Sequence, residues 1–182
     1  MIMLLALISF AHAEDFLMGP RRKVTLEVAP GWKAESKRKP GRGIEITVAP
    51  HGQANALCRI TVLKSVGTQR YSPKGVDQAM KAVGKKMLTN VVETEVLLQK
   101  FELKNGYGVY SCYTDKKLVD KEPAKGDFKV ATTGMVMFTD EFAANIAMFA
   151  DSLDGEEFQA MLAMVTSMEL RPAGTKAAAG SN

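Results

Sequence analysis

Few side chains in this sequence are suited to making or breaking bonds. Past Ala13 there is one histidine, His51, in the loop Ala49-Pro50-His51-Gly52-Gln53. A Ser-His-Asp or Cys-His system would have to be built on it, and no G-x-S-x-G elbow accompanies it. The residue reads as a solvated loop side chain. The two cysteines, Cys58 and Cys112, do not form a C-x-x-C redox motif. Asp151, Asp154, Glu156 and Glu157 cluster within seven residues and carry oxygens of the kind a Ca²⁺ ion takes, but they lack EF-hand spacing, and helix capping is the competing explanation. Met161, Met164 and Met168 recur at i, i+3, i+7, which puts three soft thioethers on one helix side, as a Cu(I) site would. Core filling explains the same stripe. No phosphate-binding glycine motif is present, and three- or four-ligand zinc spacing is absent. The inventory indicates no metal, no cofactor and no enzyme; the open alternatives are a hydrolase using His51 or the acidic cluster, and a metal or small-ligand carrier.

Cations are the more plentiful resource. Arg21 and Arg22 stand beside Lys23. Lys37, Arg38 and Lys39 run together, with Arg42 close behind, and Lys74, Lys81 and Lys85 share one side of a predicted helix. These residues are the candidate surface for an anionic partner, against the alternative of ordinary solvated charge. Nucleic acid is disfavoured because aromatic residues are not interleaved with the cations.

The N-terminus says where such a partner would be met. Met1–Phe10 is uncharged and apolar, and Ala11-His12-Ala13 precedes Glu14-Asp15. This is the form of a secretory signal peptide cut after Ala13, lacking a basic n-region; a buried N-terminal helix is the alternative. The run is too short to span a bilayer, and the mature chain holds no transmembrane segment. A periplasmic or secreted location follows, with an envelope protein or anionic surface as partner. In an oxidising compartment Cys58 and Cys112, both in strand-like runs, are expected to form a disulfide worth about 2–4 kcal/mol; two buried free thiols are the other possibility.

The elements that position these residues are legible from periodicity. Lys23–Val28, Gly43–Val48 and Leu57–Lys64 alternate as strands. Ser72-Pro73 is a helix N-cap followed by proline at N1, and Val76, Ala79, Met80, Val83 and Met87 form its apolar face. A long strand over Val91–Lys104 is expected to turn at Asn105-Gly106 into Tyr107–Thr114. Phe128–Phe138 and Phe142–Ala150 form a further pair around Thr139-Asp140-Glu141. Asp154 and Glu157 read as a capping box for a last helix whose buried face is Phe158, Met161, Leu162 and Val165. The fold class is α+β, a mostly antiparallel β-sheet between helices in a three-layer α/β/α sandwich. The organisation is a signal peptide over 1–13, one domain over 14–170, and a flexible small-residue tail over 171–182.

The order of elements, with Pro30-Gly31-Trp32 after the first strand, Ser72-Pro73 at the first helix, and Phe158–Val165 leading into Ser167-Met168-Glu169-Leu170, resembles the PsbP-like fold family, whose exported bacterial members include DcrB-like proteins. The resemblance covers residues 23–170 and lies mainly in element order. It implies an antiparallel sheet between helices and a binding, adaptor or assembly role rather than catalysis, and it transfers no functional residue.

Composition agrees with a globular chain. Of 182 residues, 46% are apolar and 24% charged, and 24 Lys+Arg stand against 20 Asp+Glu. That net charge of +4 is unevenly distributed. Residues 1–129 carry 22 basic and 13 acidic side chains, and residues 130–182 carry 2 and 7.

Overall fold

In the computed structural model, residues 11–39, 43–52, 54–66, 68 and 70–174 are described. Most of the leader, Arg42 and the end of the tail lie outside them.

The alternating run around Lys23–Val28 becomes the middle of a three-stranded antiparallel sheet. Strand β2 (Arg22–Val28) pairs on one side with β1 (His12–Leu17) and on the other with β10 (Glu169–Pro172). Neither flank is anticipated by the sequence. His12 and Ala13 fall in the stretch read as leader, and Arg171 and Pro172 in the stretch read as tail. Strand β1 is held by Phe16, which is buried, and by Asp15, which accepts hydrogen bonds from Lys23 Nζ and Thr25 Oγ1 at 2.7 Å each.

The remaining strands form a second antiparallel sheet in the order β3-β4-β5-β9-β8-β7-β6. They are β3 (Trp32–Lys39), β4 (Gly43–Pro50), β5 (Leu57–Lys64), β6 (Gln99–Lys100), β7 (Tyr107–Thr114), β8 (Val130–Met137) and β9 (Phe142–Ala150). The alanine-rich Phe142–Ala150 is a central strand. It inserts between β5 and β8, so its small side chains are paired on both sides. Edge strand β3 is dominated by Lys33, Glu35, Lys37, Arg38 and Lys39, charges that discourage pairing with another chain.

Adjacent residues on a strand point to opposite faces. Tyr110 joins a large core with Ile46, Ile60, Ile146, Leu26 and Met161, while Val109 joins a smaller cluster with Val76 and Met80. Helix α1 (Pro73–Met87) packs against β7 and β8, and α2 (Glu156–Thr166) against β9 and β2. The chain is thus a mixed α/β fold with two antiparallel sheets and two helices among the described residues.

Four expectations change. The long strand over Val91–Lys104 shrinks to β6 and one bridge, Val91 to Asp115. The segment turns because Glu93 is drawn back onto β7, accepting from the Thr114 N–H (2.8 Å) and Thr114 Oγ1 (2.9 Å), and because Val92 and Leu97 face solvent. The α1 face is narrower than read: Val76, Met80 and Gly84 are buried, whereas Ala79 and Val83 are exposed. Gly155, not Asp154, is the N-cap of α2, and no side chain caps it, so the capping box does not form.

The fourth is the disulfide. Cys58 and Cys112 are free thiols. Cys58 sits on β5 opposite Met148, Met148 opposite Thr132, and Thr132 opposite Cys112 on β7. Three strand spacings separate them, about 14 Å, twice what a disulfide can bridge. Thr132 Oγ1 instead donates to Cys112 Sγ at 3.2 Å. Burial pushes the Cys58 thiol up to about 12, and the Cys112 thiol is also raised by burial.

Candidate functional site

A large concavity lies at one end of the seven-stranded sheet, where β5 finishes and β9 begins. Its volume is about 1170 Å³, somewhat above the roughly 300–1,000 Å³ typical of small-ligand sites. Its position follows from the topology. Lys64 pairs with Phe142 at this end, and Gly43 opens β4 here with a left-handed φ of +96°. A Cβ on Gly43 would run into the Val62 carbonyl oxygen, so only glycine permits this approach. The loop from Ser65 to Ser72 is sewn to the β8–β9 turn by two backbone bonds: the Ser65 N–H donates to the Glu141 carbonyl (2.7 Å) and the Tyr71 N–H to the Asp140 carbonyl (2.8 Å). The first turns of α1 and the β1–β2 turn close the remaining sides.

The lining divides into an apolar floor and a cationic rim. Met18, Leu63, Val76, Ala79, Met135 and Phe142 supply the floor. Arg21, Arg22, Lys64 and Arg70 supply the rim. Arg70 is held by Asp140 and Glu141 at 3.7 and 3.9 Å, and Lys64 lies over the Phe142 ring at 5.8 Å. The positive end of α1 adds to this charge. Its Ser72 cap accepts from the Gly75 N–H (3.2 Å), yet no acid stands in its first turn, which carries Lys74 instead. Further along α1, the Tyr107 hydroxyl donates to Asp77 Oδ1 at 2.6 Å, which fixes the helix to β7 and raises the tyrosine's pKa. Burial raises Tyr71, on the cavity wall, in the same direction. The Ser65 hydroxyl oxygen is buried at this wall and has no hydrogen-bond partner among the described residues.

Of the cations picked out from sequence, Arg21 and Arg22 line the cavity. Lys74 is exposed at its edge, at the N-terminal end of α1. Lys81 and Lys85 lie further along the exposed side of α1, over β7 and β8. Lys37, Arg38 and Lys39 lie on β3, where Lys39 pairs in register with the cavity-lining Gly43 of β4. Lys39 is paired with Glu45 at 3.2 Å. Lys64 and Arg70 were missed; the signal available was two cations, one ending the Leu57–Lys64 strand and one just before the Ser72-Pro73 cap.

The other candidates are spoken for. His51 is exposed at the far end of β4, and its imidazole has no hydrogen-bonding partner among the described residues. Met161, Met164 and Met168 are all buried in the large core. Asp151 accepts from Asn55 Nδ2 at 3.0 and 3.1 Å, in a link that also ties down the loop at Gly126 and Asp127. Among the described residues no group of three or more His, Cys, Asp and Glu side chains is placed to hold a metal ion, and no helix is long and apolar enough to cross a membrane. No family model matches the chain, and comparison with curated proteins and with solved structures finds no match.

Proposed function

We propose that the protein is an exported, non-enzymatic binding or adaptor module of the cell envelope, built as a PsbP-like three-layer α/β/α sandwich, that engages an anionic partner through the cavity end of its sheet. The observation that carries the reading is the convergence of Arg21, Arg22, Lys64 and Arg70 on one mouth, drawn from two distant stretches of chain. Among the described residues, Arg70 alone of these four is paired with acids. Cations gathered on a concave, low-dielectric wall focus potential far more than the same charges scattered over a convex surface. The leader-like N-terminus supports export, and helices packed on β7–β8 and on β9 support the layered architecture.

The test is sedimentation with lipid vesicles. Binding is expected to vesicles containing phosphatidylglycerol at low salt, to be weak on phosphatidylcholine alone, and to fall as salt rises. Replacing Arg21 and Arg22 with Gln should reduce binding by tenfold or more without changing the melting temperature. Equal binding to neutral vesicles, or indifference to salt, overturns the reading.

A further inference from the structure

We infer that the cavity is the seat of a single-chain anionic amphiphile, its acyl chain on the apolar floor and its anionic head at the cationic rim. This deepens the proposed anionic partner and rests on that reading. A rim of cations alone would serve any anion, so the floor is what discriminates. Met18, Leu63, Val76, Ala79, Met135 and Phe142 come from the β1–β2 turn, β5, α1, β8 and β9, and they meet in a space of about 1170 Å³. A site for a small inorganic anion needs neither that volume nor that many apolar walls. Two of these walls are methionines, whose flexible thioethers adapt to a chain of variable shape.

The head-group end is equally specific in its chemistry. Arg21 and Arg22 offer forked donors suited to a carboxylate or phosphate. The uncompensated start of α1 favours negative charge beside them. At the mouth, Val66 lines the cavity between Lys64 and Arg70 in the sequence and is 81% exposed. An apolar side chain flanked by cations is the arrangement that meets a lipid surface, where such a ligand is available.

The experiment is calorimetric titration of the full protein with straight-chain carboxylates below their aggregation concentration: acetate, octanoate and palmitate, with hexadecanol as the uncharged control. Affinity is expected to rise with length, by about fourfold per buried methylene until the floor is filled. Arg21→Gln with Arg22→Gln should weaken palmitate at least tenfold and leave hexadecanol unchanged. Ala79→Trp, at a floor position on the exposed side of α1, should shorten the preferred chain without changing the melting temperature. If acetate and palmitate bind alike, or if only vesicles bind, the amphiphile inference falls and the anionic-partner reading stands. If hexadecanol binds as tightly as palmitate, the cationic rim has no role and both fall.

Discussion

Lys23 Nζ donates to Asp15 Oδ2 at 2.7 Å across the first strand pair, and Lys23 is only 5% exposed. A lysine ammonium is rarely so buried without a partner carboxylate. The pair, reinforced by Thr25 Oγ1 on the other oxygen of Asp15, fastens β1 to β2. It also bears on export. On the proposed export, cleavage after Ala13 would remove two of the six residues of β1 and leave Asp15 as the second residue. The strand would then be held by its Asp15 and Phe16 anchors, both downstream of the cut.

A pH dependence follows from this pair. The hydrogen bond from Lys23 holds the Asp15 carboxyl below its ordinary 3.8. A carboxylate with a depressed folded-state pKa contributes stability that is fully present above its unfolded value and is lost as pH falls through the folded one. Unfolding by urea at neutral pH and through the window below about pH 4 should show this loss, and Asp15→Asn should flatten it. At neutral pH Asp15→Asn is expected to cost about 1–2 kcal/mol, because a charge-assisted bond to a buried ammonium is weakened. An unaltered pH profile in the variant would remove Asp15 from this role.

The elements best read from sequence are those whose signals are local. Ser72 and Pro73 start α1 through a cap and a fixed φ, each decided within one turn, and β7 has the same ends that alternation gives it. What could not be read depends on distant pairing. HAEDFL has little strand character of its own, and becomes β1 because β2 offers Lys23, Thr25 and an apolar row. The Val91–Lys104 run has strand composition but loses it where Glu93 finds Thr114. The cavity is the extreme case. Arg21 and Arg22 meet Lys64 and Arg70 only because Lys64 pairs with Phe142 while the β1–β2 turn closes over the same end. The imbalance between the two parts of the chain dissolves for the same reason. Strand β9 belongs to the acidic part, yet it lies between β5 and β8 in the middle of the sheet, with Asp140 and Glu141 beside Arg70 at one end and Asp151 at the other.

The thiols should behave as two separate buried groups. With Cys58 pushed up to about 12, the thiolate is scarce at pH 8, and the side chain is enclosed between β4 and β9. Alkylation of the native protein followed by mass spectrometry is expected to modify half-buried Cys112 first. Cys58 should react at a rate that tracks global unfolding. Reduction before alkylation in denaturant should leave the number of modified cysteines unchanged at two. A two-thiol difference on reduction would contradict the separation of β5 and β7.

Helix α1 comes close to the sheet where Gly84 faces Tyr113, and this contact sets up a paired prediction. Tyr113 is 1% exposed and its hydroxyl has no hydrogen-bond partner among the described residues. Tyr113→Phe removes a buried group that lacks a partner while keeping the ring, so it should stabilise by about 1 kcal/mol. Gly84→Ala would ordinarily gain up to about 1 kcal/mol of helix propensity. Here a Cβ would strike the Tyr113 hydroxyl and stand 2.6 Å from Val96 Cγ1, and the β-branched valine has little freedom to give way. The net expectation is a loss of about 1–2 kcal/mol from overpacking. Combining the two substitutions should recover part of that loss, because the hydroxyl is one of the two obstacles. Urea midpoints for the two single variants and the double variant read the coupling directly. Additive effects would mean that the helix shifts to accommodate the methyl group, and that Tyr113 does not set the distance between α1 and β7.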